Sequence, residues 1–189
     1  LGYSFCKFNM SHNGGTEENG IDFPDTKAFE KNCYSYEVDD LKYVLNWIDQ
    51  QTALDNLIAV ISESPAITLD TEFVRVSTFH PKPGLIQIGV KSKAFLIDPL
   101  VGLDLQQLGN RLSNGVTSIL HAAQEDYEVL FRLTGQLPRL VFDTQIAYAL
   151  LNTKISTSLS SLASDLLGKQ ISKQETRSDW TRRPLSNAQ

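Results

Sequence analysis

Residues 67–73 read ITLDTEF, an apolar run ending in two acids two positions apart, Asp70 and Glu72. In a strand, side chains at i and i+2 share a face, so both carboxylates point one way and Thr71 the other. Like charges so placed repel, and burial sharpens the conflict. Protonation, a partner such as Arg75 at a solvated strand end, or a cation would relieve it. A second segment, HAAQEDYEVLFRL at 121–133, bears on that choice. Helical spacing sends Glu125, Glu128 and Arg132 to an outer face, with Glu128 and Arg132 paired four apart. Asp126 falls on the apolar stripe of Ala123, Val129, Leu130 and Leu133 and points inward. Three inward acids with no buried basic partner are best neutralised by metal. All-carboxylate ligation suits hard cations, Mg²⁺ or Mn²⁺, and no Cys/His set with zinc spacing exists. Two such ions roughly 3.5–4 Å apart can activate a water and stabilise the leaving oxygen of a phosphodiester. That is the physical case for a nuclease.

Other side chains near these acids carry two readings each. Asp143 stands at the head of a helix, where an N-cap is the favoured role. His121, at a strand end, is either a general base or a hydrogen-bonded structural residue. Phe73 and the loop VRVSTFHPKPGL follow the acids directly, so Phe73, Arg75, Phe79 or His80 could meet a terminal nucleotide by charge or stacking. An ordinary hairpin with core aromatics is the alternative. Gln87, alone in LIQIG, would bond a base or sugar, or cap a buried backbone group. In the basic C-terminal stretch Lys173, Arg177, Arg182 and Arg183 surround Trp180. That combination suits a phosphate backbone with a stacked base, although a core anchor is equally open to Trp180.

The elements that must position these groups can be read from period and punctuation. Residues 1–42 are rich in Gly, Asn, Ser and acids, for example MSHNGGTEENGIDFPD, and read as a polar leader, disordered or vector-derived. Order is expected from Tyr43 through Gln189. Thr52 and Asp55 signal a helix start, and Ala53, Leu54, Leu57, Ile58 and Ile61 keep helical spacing. AITLDTEF, GLIQIGV, KAFLID, VTSILH and LVF give five strands, the second and third joined as a hairpin at Lys91–Ser92. Helices fall at DLQQLGNRL, AAQEDYEVLFRL, DTQIAYALL and STSLSSLASDLLG, the last closed by Gly168. Three consecutive strands followed by alternation predict one α/β domain with a five-stranded mixed sheet flanked by helices.

Composition sets bounds. The 189 residues, 41% hydrophobic, suffice for one core, and no run suggests a membrane helix or signal peptide. Cys6 and Cys33 read as free thiols in a cytoplasmic protein. Residues 152–189 hold 6 Lys and Arg against 3 Asp and Glu in a chain of net charge −5, so an acidic body ends in a basic edge.

Four segments, LDTEFVRVSTFHPKPGLIQIG, LHAAQEDYEVL, FDTQIAYALL and KQETRSDWTRRPLSNAQ, in order and at family-like spacing, resemble bacterial ribonuclease D, one of the DEDD exonucleases. The resemblance covers about Leu45 to Gln189 and implies a ribonuclease H-like fold. Asp70 and Glu72 match the first exonuclease motif and Asp126 the second, which implies two divalent metals held by these acids. It further implies 3′→5′ exonuclease action on RNA, at the 3′ ends of small structured RNAs such as tRNA precursors, by a monomer. The third motif, a tyrosine and a fourth aspartate, would follow Gln189, so residues 43–189 read as an exonuclease domain incomplete at its C-terminus. A DNA exonuclease would use the same carboxylates, although SDWTRRPLS favours the ribonuclease D branch. An inactive nucleic-acid-binding fragment is the alternative of a different class.

Overall fold

The computed structural model describes residues 33–38, 41–76, 78–152, 154–171, 178–186 and 189. Its centre is a mixed sheet of β1 (Cys33–Val38), β2 (Leu41–Ile48), β3 (Ala66–Val74), β4 (Lys82–Val90), β5 (Lys93–Ile97), β6 (Thr117–Leu120) and β7 (Leu140–Asp143), in the order β1-β2-β5-β4-β3-β6-β7. The helices are α1 (Gln51–Ser62), α2 (Gln106–Ser113), α3 (Gln124–Thr134), α4 (Thr144–Leu151) and α5 (Leu159–Leu167). Strands β3 to β7 are the five expected from the sequence. The sheet has seven, because β2 pairs in parallel with β5 from Val44 opposite Lys93 to Ile48 opposite Ile97, and β1 pairs antiparallel with β2. Backbone pairing covers an otherwise open sheet edge there. This corrects both the five-strand count and the start of order: β1 lies inside the stretch that composition assigns to the leader. Residues 1–32 lie outside the described residues.

One apolar cluster holds the helices to the sheet. Leu54, Leu57 and Ile61 of α1, Leu108 and Leu112 of α2, and Leu130 of α3 pack with Ile67 and Leu69 of β3 and Ile86 and Ile88 of β4, all at most 1% exposed. Each such side chain contributes about 1.5–3 kcal/mol on burial. Helix α1 begins at Gln51 with no side-chain cap, so the Thr52–Asp55 start is not used, and Gln51 Nε2 donates to Asp55 Oδ1 instead (3.0 Å). The Lys91 turn and the left-handed Gly168 after α5 (φ 62°) lie where the sequence puts them.

Two topological details decide where the acids sit. Strands β3, β6 and β7 are parallel, so their C-terminal ends share one edge of the sheet, the edge where open α/β sheets bind ligands. Pairing of β3 with β6 ends at Thr68 opposite Ile119, and β3 runs on alone on that side through Asp70–Glu72.

Candidate active site

The unpaired side of β3 is where α3 enters. Thr71, with no β6 partner, turns its backbone N–H (2.9 Å) and its hydroxyl (2.6 Å) to Asp126 Oδ1. Asp126 thus points inward, as its place on the helical stripe predicts, and is 6% exposed. Glu72, 5% exposed, accepts from Gln87 Nε2 at 3.2 Å. Gln87 stands opposite Asp70 in β4, which puts its amide diagonal to Glu72. Asp70 Oδ2 is buried and has no hydrogen-bond partner.

Burial and mutual repulsion set the charge state of all three. Burial, then the charges of Asp126 and Glu72, hold the Asp70 carboxyl well above the usual range. Burial pushes Glu72 up to about 7, with Asp126 adding to it. Burial raises Asp126 to about 6 even though both Thr71 donors favour its ionised form. Among the described residues no Lys or Arg pairs with any of the three.

The cation nearest in sequence is engaged elsewhere. Arg75 hydrogen-bonds Glu128, and His80 Nδ1 is 2.8 Å from the other oxygen of the same carboxylate. Glu128 therefore does not take the i+4 pairing with Arg132 that spacing predicts, and its two partners lower its pKa, His80 the more. Phe73 is half-buried, just past a register shift in which Glu72 faces Leu85 and Phe73 faces Pro83.

Three expected substrate contacts are placed otherwise. Trp180 is 2% exposed, so its ring cannot stack on a base; it packs on Gly84, where an added Cβ would fall 2.6 Å from Trp180 Cβ. Arg183 latches this segment: its Nε and a terminal nitrogen grip the two oxygens of buried Asp98 at 2.7 and 2.8 Å, and it also donates to the Gly84 carbonyl. The shift beside Glu72 skips Gly84, the residue against which Trp180 packs and to whose carbonyl Arg183 donates. His121 has both ring nitrogens taken. Burial lowers its pKa, its Nε2–H donates to the Thr157 carbonyl (2.9 Å), and Nδ1 faces the Thr144 hydroxyl (2.9 Å). It offers neither a base nor a donor to a substrate. Gln87 is occupied with Glu72. Arg177 and Lys173 lie outside the described residues.

Asp143 caps α4 through the N–H groups of Gln145 (2.8 Å) and Ile146 (3.4 Å), as favoured. Sequence reasoning missed its second task. The same carboxylate accepts from Ala122 N (3.1 Å) and Ala123 N (2.9 Å), holding a turn in which Ala122 sits at φ 57°. A non-glycine residue rarely adopts that conformation, and this turn aims α3 and hence Asp126. The four backbone donors lower the Asp143 pKa against the opposing effect of burial. Thr71 and Glu128 were also missed. Thr71 was legible only as the residue between the acids, whereas Glu128 was masked by its helix neighbour Arg132.

The donor set fits a hard cation. Asp70 Oδ2 is an orphaned buried oxygen, and three acids whose charge burial opposes lack a cationic partner. They are anchored separately rather than closed into a cage; among the described residues no three His, Cys, Asp or Glu side chains form one. Thr71 and Gln87 leave Asp126 Oδ2 and Glu72 Oε2 for a ligand beside Asp70.

The model of a family described as 3′-5′ exonuclease matches residues 45–189, from β2 to the C-terminus. The chain belongs to the 3′-5′ exonuclease family. Among members of this exonuclease family, ribonuclease D of Pseudomonas paraeruginosa is 42% identical over 146 residues, covering 77% of the chain and 39% of that protein. Ribonuclease D of Escherichia coli is 39% identical over 143 residues, 75% of the chain and 38% of that protein. The crystal structure of the Escherichia coli enzyme, described as an exoribonuclease involved in structured RNA processing, superposes with a TM-score of 0.72 at 38% identity, covering 76% of the chain and 39% of that one. The chain thus spans about two-fifths of the length of these relatives. The ribonuclease H-like α/β fold implied by the sequence is shown. Exonucleases of this family are in general divalent-metal dependent. Among the described residues no helix is long and apolar enough to cross a membrane.

Proposed function

We propose that this exonuclease domain removes nucleotides from the 3′ ends of small structured RNAs such as tRNA precursors, by two-metal hydrolysis of the terminal phosphodiester. Asp70, Glu72 and Asp126 are the metal ligands. One observation carries this reading: buried Glu72 and Asp126 and half-buried Asp70, whose Oδ2 is orphaned, stand about the open end of β3, and among the described residues no Lys or Arg pairs with them. Similarity to ribonuclease D supports the choice of RNA and of the 3′ end. The domain would act as a monomer in the cytoplasm.

Two Mg²⁺ or Mn²⁺ ions, when bound, would activate the attacking water and neutralise charge on the leaving oxygen. The chain's own residues preorganise that site. Thr71 fixes one Asp126 oxygen and Gln87 one Glu72 oxygen, so each acid presents its other oxygen in a set orientation. Buried surroundings keep water from screening the charges.

The test is degradation of a 5′-labelled RNA with a single-stranded 3′ tail, in Mg²⁺ and then Mn²⁺, with Asp70→Ala as control and a deoxy oligonucleotide beside it. A ladder that shortens from the 3′ end and disappears in the variant is expected. A second reading, RNA binding without turnover, draws on Asp143: its four backbone donors leave three acids at the site among the described residues. It predicts binding that ignores Asp70→Ala and no ladder with either metal.

A further inference from the structure

At the connection between β3 and β4 lies a cleft of about 640 Å³ whose walls include none of Asp70, Glu72 and Asp126 and none of their supports Thr71, Gln87 and Asp143. Phe79, His80, Lys82, Pro83 and Arg132 are among its walls. Phe79 is 87% exposed, and its ring meets His80 edge-on at 4.7 Å and 83°. His80 is in turn fastened to Glu128, and the prolines on either side of Lys82 limit the loop backbone. An aromatic ring is therefore presented to solvent by a braced loop.

The cations of the cleft are explained by the same contact. Glu128 is the helix neighbour that would have neutralised Arg132, and it is committed to Arg75 and His80. Among the described residues Arg132 has no ion-pair partner. Lys82 lines the same cleft, and Asp179, a carboxylate on which its charge acts, accepts from the Thr181 N–H and hydroxyl. A chain of net charge −5 thus gathers two cations and an exposed aromatic in one cleft. Helix α3 carries both Asp126 and Arg132, six residues apart, so Arg132 stands about 9 Å further along its axis and on the outer face.

We propose that this cleft binds the single-stranded RNA segment adjoining the nucleotide to be removed, with Phe79 stacked on a base and Arg132 and Lys82 on its phosphates. The proposal rests on the exonuclease reading for the identity of the strand. The ligand chemistry comes from the cleft: an aromatic face for any base and separated cations for a backbone. Sequence-tolerant binding is the consequence.

The decisive measurement is anisotropy of a labelled, unstructured RNA of about twelve nucleotides, titrated at several salt concentrations. The chain carries Asp70→Asn throughout, so no strand is cut. Phe79→Ala should weaken binding about tenfold and leave the salt dependence alone. Arg132→Gln should lower the slope of log K against log salt by about 0.7, the contribution of one phosphate contact on a single strand. Arg132→Lys should restore that slope, a result that a purely structural arginine would not give. Thermal melting checks that each variant folds. Tenfold weakening with unchanged slope in Phe79→Ala, together with the reduced slope in Arg132→Gln, supports the cleft even if the parent chain cuts no RNA. Unchanged affinity and slope in both folded variants overturn it, even if the parent chain shortens RNA from the 3′ end.

Discussion

Buried acids occupy two regions of this molecule and behave in opposite ways. Asp98 is 2% exposed, Glu72 5% and Asp126 6%, so depth does not separate them. Partners do. Asp98 has both oxygens gripped by Arg183 and also accepts from Leu100 N, and Asp143, only half-buried, has four backbone donors. Glu72 has one amide, Asp126 is held through a single oxygen, and Asp70 Oδ2 has nothing. A buried carboxylate with complete partners holds the chain together; one left incomplete stores a charge conflict that a ligand can resolve. The satisfied acids are also what hold the unsatisfied ones in place. Asp98 anchors the segment behind the Gly84 shift next to Glu72, and Asp143 fixes the turn that aims Asp126.

Removing a satisfied acid should do the greatest damage to stability. Asp98→Ala strands Arg183 without its fork and frees the Trp180 segment. A loss of about 3 kcal/mol is expected, roughly 6–12 °C in melting temperature. An unchanged melting temperature would mean that the latch is ornamental and the comparison is wrong. Asp70→Asn should do the reverse. It relieves repulsion at the site, so the metal-free chain should melt a few degrees higher, while hydrolysis falls by at least about a hundredfold. Lower stability together with lost activity would put Asp70 in the structural class.

Asp143→Ala sharpens the comparison by touching both regions. It removes a helix cap, costing about 1–2 kcal/mol, and releases Ala122 from its left-handed turn. Because α3 then loses its entry angle, Mn²⁺ affinity measured by calorimetry should drop about tenfold although no proposed ligand has changed. Asp143→Asn, which keeps an accepting oxygen, should recover most of it. Equal affinity in all three proteins would confine Asp143 to capping.

What was legible in the sequence was local. The i, i+2 acids on a strand, the inward Asp126 on a helical stripe, the Asp143 cap and the strands β3 to β7 all come from period and punctuation within a dozen residues. Non-local contacts were not legible. Trp180 looks like a stacking residue until Gly84, 96 positions earlier, is found against it. Glu128 prefers Arg75 and His80 across the loop to its own helix neighbour, because a tertiary bidentate site outweighs an exposed i+4 pair. Strand β1 was lost to composition: CYSYEV stands at the end of a polar stretch, and only pairing with β2 makes it a strand.

The smallest effect, and the one that reads the charge conflict directly, is pH. Glu72 and Asp126 reach about 7 and about 6 in the folded chain and return toward ordinary carboxylate values on unfolding. Between about pH 4 and 7 the native state therefore holds more protons than the unfolded one. These acids then lower the stability of the metal-free protein as pH rises through that window, opposed there by His121, whose burial-lowered pKa adds stability as pH rises. Asp143 works in the opposite sense and lower on the scale, since its depressed pKa adds stability that is lost only as pH falls through it. Mn²⁺ binding should show the mirror image of the first trend, because the cation competes with the same protons: affinity should climb from pH 5 and level near 7. Melting curves across pH 5–7.5, with and without Mn²⁺, should slope in opposite directions and converge at the acid end, where protons already neutralise the site. Asp70→Asn should flatten the metal-free curve by removing one member of the repelling set. A metal-free curve that rises with pH would mean that the three acids are paired after all, and the distinction between the two regions would fall with it.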